Sequence, residues 1–213
     1  MKSVKITKII KVGQDSFLLS FKRDFEFVAG QVIGINIGEA QPARLYSIAS
    51  GSSEEEIKIL FNLKDDGYLT PRLAVGKPGD TIQISPPFGR FVCNEKEAYW
   101  IASGTGIAPF ASMIFSGIAE RKILIHGSRF LSNFYFQNEI APIMEARYIR
   151  CCSAESGEGI YSGRLTQYLR EQENLAIDNK YYLCGSAEMV VDTRDILISK
   201  GIPYENIIAE IYF

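Results

Sequence analysis

Near residue 95 this sequence changes its rhythm, and that change constrains the fold more than any other feature. Before it, apolar residues alternate with small or polar ones in Val4-Lys5-Ile6-Thr7-Lys8-Ile9, Ile33-Gly34-Ile35-Asn36-Ile37, Ile57-Lys58-Ile59 and Thr81-Ile82-Gln83-Ile84-Ser85. A period of two puts one face of a strand in a core and the other in water. The clusters Val12-Gly13-Gln14-Asp15, Asp65-Asp66-Gly67 and Lys77-Pro78-Gly79-Asp80 supply turns between these runs. Several short strands so spaced predict a small antiparallel barrel. After the change, strands at 98–103, 122–126, 147–152, 181–184 and 207–213 alternate with helical stretches at 107–119, 133–144, 165–171 and 187–200. Ala98–Ser103 is apolar almost throughout, as a strand buried on both faces must be. This alternation predicts a parallel sheet covered by helices. The charged stretch Asn94–Glu97 reads as a linker. The fold class expected is two-domain: an antiparallel Greek-key β-barrel over 1–95, then an α/β parallel-sheet domain over 96–213.

Composition narrows the function. Lys and Arg number 23 against 25 Asp and Glu, a net charge of −2. So balanced a chain has no whole-molecule field for a polyanion, and nucleic acid is not expected as a partner. No apolar run reaches the length of a membrane span. The start, MKSVKITKII, has no signal-peptide pattern, so a cytoplasmic protein is expected. Cys93, Cys151, Cys152 and Cys184 lack zinc or iron–sulfur spacing. The single histidine, His126, makes a His-dependent triad or metal site improbable, and no metal is expected.

Ser103-Gly104-Thr105-Gly106-Ile107-Ala108-Pro109 lies between the first buried strand and a helix. That is the carboxyl edge, where open α/β sheets bind ligands. Gly104 and Gly106 let the backbone approach a pyrophosphate, and the helix start offers free N–H groups. Pro109 is tolerated in a first helical turn. The plainer alternative is a tight turn. Arg44-Leu45-Tyr46-Ser47 reads as a strand with Arg44 and Tyr46 on one face and Ser47 opposite unless the strand bends. Arg and Tyr together grip a phosphate and stack on a flat ring; the alternative is a surface Arg beside a rim Tyr. In Gly67-Tyr68-Leu69-Thr70-Pro71, Thr70 is a candidate N-cap with Pro71 at the first helical position. Cys184-Gly185-Ser186 ends another parallel strand, with the thiol facing the Gly104 crevice or simply buried.

The order of these five motifs, closed by Ala209-Glu210-Ile211-Tyr212-Phe213, resembles the ferredoxin–NADP reductase family, most closely its bacterial ferredoxin/flavodoxin reductases. The resemblance runs from Gln31 to Phe213. It implies FAD in the barrel, with Arg44 on the pyrophosphate and Leu45 and Tyr46 beside the isoalloxazine. Ser47 lies near flavin N5, and Leu60, Phe61, Asn62 and Leu63 run as a strand along the flavin. Tyr68, Leu69 and Thr70 become phosphate donors, and Tyr212 and Phe213 a docked aromatic tail. It implies a nicotinamide nucleotide on Gly104, Thr105, Gly106, Pro109, Gly185 and Ser186, with Cys184 under the nicotinamide. Ser47, Cys184, Glu210 and Tyr212 become the catalytic set, Tyr212 having to swing aside for the nicotinamide.

Ser128 and Arg129 follow the second parallel strand, where no Asp or Glu takes a ribose 2′-OH. Arg129 and Arg164 therefore point to NADP, with NAD as the alternative, because Ala154 stands where the bacterial reductases commonly carry a phosphate-binding Arg. The expected redox partner is a ferredoxin or flavodoxin, with Lys22, Arg23, Lys64, Arg72 and Arg90 as local basic groups. The rival readings are an NAD(P)H:flavin reductase, the reductase component of a multicomponent oxygenase, and an electron-transfer subunit that needs a partner, since the loops expected around the FAD adenosine are short.

Overall fold

A computed structural model of the chain describes residues 1–38 and 41–212. The first half forms strands β1 (Lys2–Lys11), β2 (Ser16–Lys22), β3 (Val32–Asn36), β4 (Arg44–Ser47), β5 (Glu56–Asn62) and β6 (Thr81–Ile84), with a short helix α1 (Thr70–Ala74). They make one six-stranded antiparallel sheet in the order β4-β3-β6-β1-β2-β5. A single bridge, Ile48 to Ile59, brings its two ends together into a barrel. Ile33, Ile35, Ile57, Ile59, Phe61 and Leu73 fill the interior.

The period of two holds for β6, whose Ile82 and Ile84 are buried while Thr81 is exposed. It fails for β3, which is buried along its whole length. The segment after β6 runs on beside β3: Ser85 N–H donates to Gly34 O at 2.9 Å, Ser85 Oγ accepts the Gly34 N–H at 2.8 Å, Phe88 bonds with Val32, and Asn36 Nδ2 donates to Gln41 O at 2.5 Å. Polar-looking Gly34 and Asn36 therefore lie under chain and not under water. β2 carries no turn signal inside it and no clean alternation, and was not expected.

The second half carries β7 (Ala98–Ser103), α2 (Ala108–Phe115), β8 (Lys122–Ser128), α3 (Gln137–Met144), β9 (Tyr148–Cys152), β10 (Tyr161–Ser162), α4 (Leu165–Glu171), β11 (Lys180–Ser186), α5 (Ala187–Ser199) and β12 (Ile207–Tyr212). All its pairings are parallel, in the order β10-β9-β8-β7-β11-β12. Two expected helices are shorter than their sequence patterns. Residues 104–107 form a 3-10 turn ahead of α2, which ends at Phe115 before a glycine, Gly117, with positive φ. Phe136 takes a left-handed conformation (φ 59°), so α3 starts at Gln137 and not at Asn133. The halves share one core: Ala49, Leu60 and Phe91 from the barrel side pack with Trp100, Phe110 and Cys184 from the sheet side. α2 also bonds to the β4–β5 connection, Ser112 Oγ donating to Ser50 O at 2.8 Å and Ser52 N–H to Ser116 Oγ at 2.9 Å.

Candidate functional site

The chain leaves β7 for β8 on one side of the sheet and later returns to β11 on the other, so the sheet order reverses beside β7. Such a reversal opens a crevice at the carboxyl ends of the strands. The structure has one there, of about 1190 Å³. From the sheet side it is lined by Ser103 and Gly104 at the end of β7, Ser128 and Arg129 at the end of β8, Arg164 before α4 and Ser186 at the end of β11. Asn62, Leu63 and Lys64 close it from the barrel side.

Backbone contacts set the sheet side. A Cβ on Gly106 would lie 2.2 Å from the Cys184 carbonyl oxygen, and one on Gly185 would lie 2.2 Å from Ser103 Oγ. Gly106, in the turn after β7, thus packs against the end of β11, and Gly185 against the end of β7; Gly106 is buried and does not itself line the crevice. Gly104 alone of the G-x-G lines the crevice. Thr105 lies beside it, whereas Pro109 is buried in the first turn of α2 and reaches no ligand space. Beneath Gly104 sits fully buried His126, hydrogen-bonded to Tyr148 Oη at 2.9 Å. Burial holds its pKa down to about 3, so the imidazole stays neutral in this packing role.

The barrel side is built from side chains at a seam. β4 and β5 are the two ends of the sheet, held together by the Ile48–Ile59 bridge, the Ala49 N–H to Lys58 O bond and the Tyr46–Phe61 ring contact. Among the described residues no ladder pairing joins Arg44–Ser47 to Leu60–Asn62, which leaves a seam there. Arg44 is exposed there, and among the described residues no carboxylate pairs with it. Tyr46 lies edge-on to Phe61 at 6.3 Å, and burial raises its pKa to about 12 despite Arg44 nearby. Leu45 points outward, 59% exposed. Leu60 and Phe61 are both buried in separate cores, so of the 60–63 run only Asn62 and Leu63 reach the crevice. α1 begins at Thr70 with Leu69 as its cap residue, so Thr70 is not the N-cap. Its Oγ1 instead accepts the Lys64 N–H at 2.9 Å and ties down the loop from β5. Leu69 is buried, and Tyr68 lies under the Arg72 guanidinium at 4.1 Å.

One hydrogen bond ties the end of β4 to the sheet half. Ser47, buried at the end of β4, donates to Glu210 Oε1 of β12 at 2.8 Å. Burial lifts the Glu210 pKa above the usual carboxylate range, partly offset by Ser47. A carboxyl group poised to hold or release a proton thus stands where the two halves join. Its neighbour in register, Cys184, is fully buried in the shared core and backs the crevice instead of lining it. The Tyr212 backbone pairs with Ser186 at the end of β12; Phe213 lies outside the described residues.

Sequence reasoning missed four groups at this site. Glu188 holds Arg164 at 3.5 Å, and Asp192 lines the same wall. Ser16 and Tyr135 enter the crevice from β2 and from the loop after β8. Ser186 caps α5, its Oγ accepting the Met189 N–H at 3.3 Å, and Glu188 in that first turn reads as ordinary helix chemistry. Tyr135, inside Phe134-Tyr135-Phe136, reads as core.

Residues 100–195 match the model of the oxidoreductase NAD-binding domain. The chain is 31% identical to the phenol hydroxylase P5 protein of Acinetobacter pittii over 81% of its own length, and spans about half, 54%, of that relative. It is 27% identical to a ferredoxin–NADP reductase of Azotobacter vinelandii, covering 95% of this chain and 92% of that one. In fold it superposes on a ferredoxin NADP+ reductase from Neisseria gonorrhoeae, solved with bound FAD and NADP, with a TM-score of 0.89 and 23% identity over 100% and 98% of the two chains. A barrel closed at one seam, a parallel sheet with a crevice at its carboxyl edge, and these matches agree: the chain carries an oxidoreductase NAD-binding domain and is similar in sequence and fold to ferredoxin–NADP reductases.

Proposed function

We propose that this chain holds FAD along the barrel seam and NADP(H) in the crevice, and exchanges electrons with a ferredoxin or flavodoxin. The observation that carries this reading is the crevice itself, lined from both halves: the carboxyl edge of the parallel sheet on one side, and Asn62, Leu63 and Lys64 at the end of β5 on the other. The proposed division is a flavin-binding barrel over 1–95 and a nicotinamide-binding unit over 96–213, working in the cytoplasm.

The residues fit such a pair of cofactors. Arg44, exposed and without a carboxylate partner among the described residues, offers a bidentate charge to a pyrophosphate. Tyr46 offers a ring face at the seam, Leu45 apolar surface outside it, and Asn62 and Leu63 border the crevice. The Leu60 and Phe61 backbone, Tyr68, Leu69 and Thr70 flank the same seam. A bound flavin supplies the atom that exchanges hydride with nicotinamide. The chain supplies position, which is its main contribution to such chemistry. Gly104, Thr105, Gly185 and Ser186 bring backbone to the nucleotide; Ser128, Arg129 and Arg164 meet its far end. Arg129 and Arg164 favour NADP over NAD, because an isolated 2′-phosphate needs cations and no carboxylate follows β8 to take a ribose hydroxyl. Ser47 and Glu210 hold or pass a proton beside the ring junction, with Cys184 packed behind them. Tyr212 and Phe213 are assigned to the ring face as a tail that moves for nicotinamide.

The test is the visible spectrum of purified protein. Flavin bands that bleach with NADPH in the absence of air support the reading; folded protein that stays colourless and takes up no added FAD ends it.

One observation favours a second reading, the similarity to the phenol hydroxylase P5 protein. In that reading the same two sites serve an oxygenase through a separate electron carrier. Steady-state rates with ferredoxin, flavodoxin and free FMN as acceptors separate the two, a preference for free FMN pointing away from both.

A further inference from the structure

Ser16 begins β2 in the barrel, and Tyr135 lies 119 residues later in the loop after β8; both are buried, at 3% and 7% exposure. Their hydroxyl oxygens are 2.5 Å apart. Ser16 Oγ also lies 2.6 Å from Asn62 Oδ1, its cross-strand neighbour on β5. A serine hydroxyl carries one proton. If that proton serves the Asn62 carbonyl oxygen, which can only accept, then Tyr135 must donate to Ser16. The direction is thereby fixed: Tyr135 O–H to Ser16 Oγ, and Ser16 O–H to Asn62 Oδ1. With its acceptor end pinned, the Asn62 amide can present only its N–H₂ end to the crevice it lines.

We propose that this relay is a positioning device for hydride exchange: Tyr135 of the sheet half, acting through Ser16, fixes the Asn62 amide of the barrel half as a donor at the junction of the two proposed cofactors. The assignment rests on the reading of the function above. The surrounding contacts are built to keep the relay closed. Asp15 O accepts the Leu63 N–H at 2.7 Å, so the β1–β2 turn is tied to the residue after Asn62. A Cβ on Gly13 would lie 3.2 Å from both Asn133 Oδ1 and the Tyr135 ring, so the turn lies close against the loop that carries Tyr135. Burial raises the Tyr135 pKa, partly offset by the Ser16 contact, so the phenol keeps its proton. Tyr135 also forms the wall between the crevice and a second cavity of about 790 Å³ under Phe115 and Phe136. Its ring has space on both sides, and the hydroxyl is what ties it to the barrel.

Two measurements on Tyr135→Phe test this. In amide hydrogen exchange without nucleotide, the variant exchanges faster in 12–18 and in 131–136 together, by about tenfold, as expected for one buried hydrogen bond. In rapid mixing with NADPH, its limiting rate of flavin reduction falls by about tenfold while the half-saturating concentration changes less than about twofold. Ser16→Ala reproduces both. In an Asn62→Ala background, Tyr135→Phe costs no further rate, because the amide it oriented is gone. Unchanged exchange in 12–18 overturns the relay, as does a rate loss that persists in the Asn62→Ala background. If the wild type takes up no FAD, the functional reading fails, and the exchange arm still decides whether the hydroxyl couples the two segments.

Discussion

The sheet side and the barrel side of the site are made in different ways. At the sheet edge the shape comes from main chain: the 3-10 turn after β7 packs on the end of β11 because Gly106 has no side chain, and the end of β11 packs on Ser103 because Gly185 has none. At the seam the shape comes from side chains, with Arg44, Tyr46 and Ser47 on β4 and Asn62 on β5. A backbone-built site cannot lose an atom without moving strands. A side-chain-built site can lose a functional group while its scaffold stays. Substitutions on the two sides should therefore fail in different currencies, stability on one and affinity or rate on the other.

The sharpest way to break this contrast is Gly106→Ala. A methyl 2.2 Å from a carbonyl oxygen forces the 3-10 turn off β11. We expect a loss of about 3 kcal/mol or more in urea unfolding, in the range of overpacked cores. A variant as stable as the parent would mean that the turn is free to move. Arg44→Ala is the counterpart on the barrel side. Its guanidinium anchors nothing among the described residues, so the fold should hold within about 0.5 kcal/mol. FAD affinity, measured by fluorescence recovery on release, should drop about 100-fold, as for a lost bidentate charged contact. Equal damage to stability and to affinity would erase the distinction between the two sides.

That distinction also explains what the sequence made legible. The parallel sheet could be read because its strands are buried on both faces and its helices intervene at regular lengths; α4 falls at 165–171 as expected. Motifs tied to strand ends, Gly104, Ser128, Arg164 and Ser186, landed in one crevice because the carboxyl edge of a parallel sheet collects them. The barrel was less readable. Its side-chain periodicity says which face is apolar, but not that the other face of β3 would be buried as well. Nor does any local signal tell that Pro109 turns inward, that Cys184 lies behind the crevice, or that Thr70 spends its hydroxyl on the β5 loop. Ser16 and Tyr135 were invisible for the same reason: their meaning comes from a contact across 119 residues.

Glu210 stands where the two modes of construction meet, and it carries a pH dependence of predictable sign. Its carboxyl pKa is raised in the fold, so between the ordinary value of 4.5 and the folded value the native state holds more protons than the unfolded one. Stability should therefore fall as pH rises through that window, and Glu210→Gln should flatten this slope. The same variant should lower the limiting rate of flavin reduction by about tenfold, and remove the limb of its pH profile that lies in this window. A limb that survives in Glu210→Gln would assign it to another group.

The smallest effect expected concerns the side of the crevice where a charge pair interrupts the backbone pattern. Arg164 and Glu188 face each other at 3.5 Å, with 72% and 76% of their side chains exposed. A surface pair of this kind contributes well under 1 kcal/mol to the fold. Its consequence lies in what it withholds. A 2′-phosphate must compete with Glu188 for Arg164, and Asp192 on the same wall adds like-charge repulsion. An NAD ribose carries no such phosphate and meets neither cost. Glu188→Gln should therefore leave the melting temperature unchanged, lower the KM for NADPH about threefold, and leave the KM for NADH alone. The gain should shrink at high salt, since both charges are exposed. A fall in both KM values together would place Glu188 against the part the two nucleotides share, and would move Arg164 away from the 2′ position.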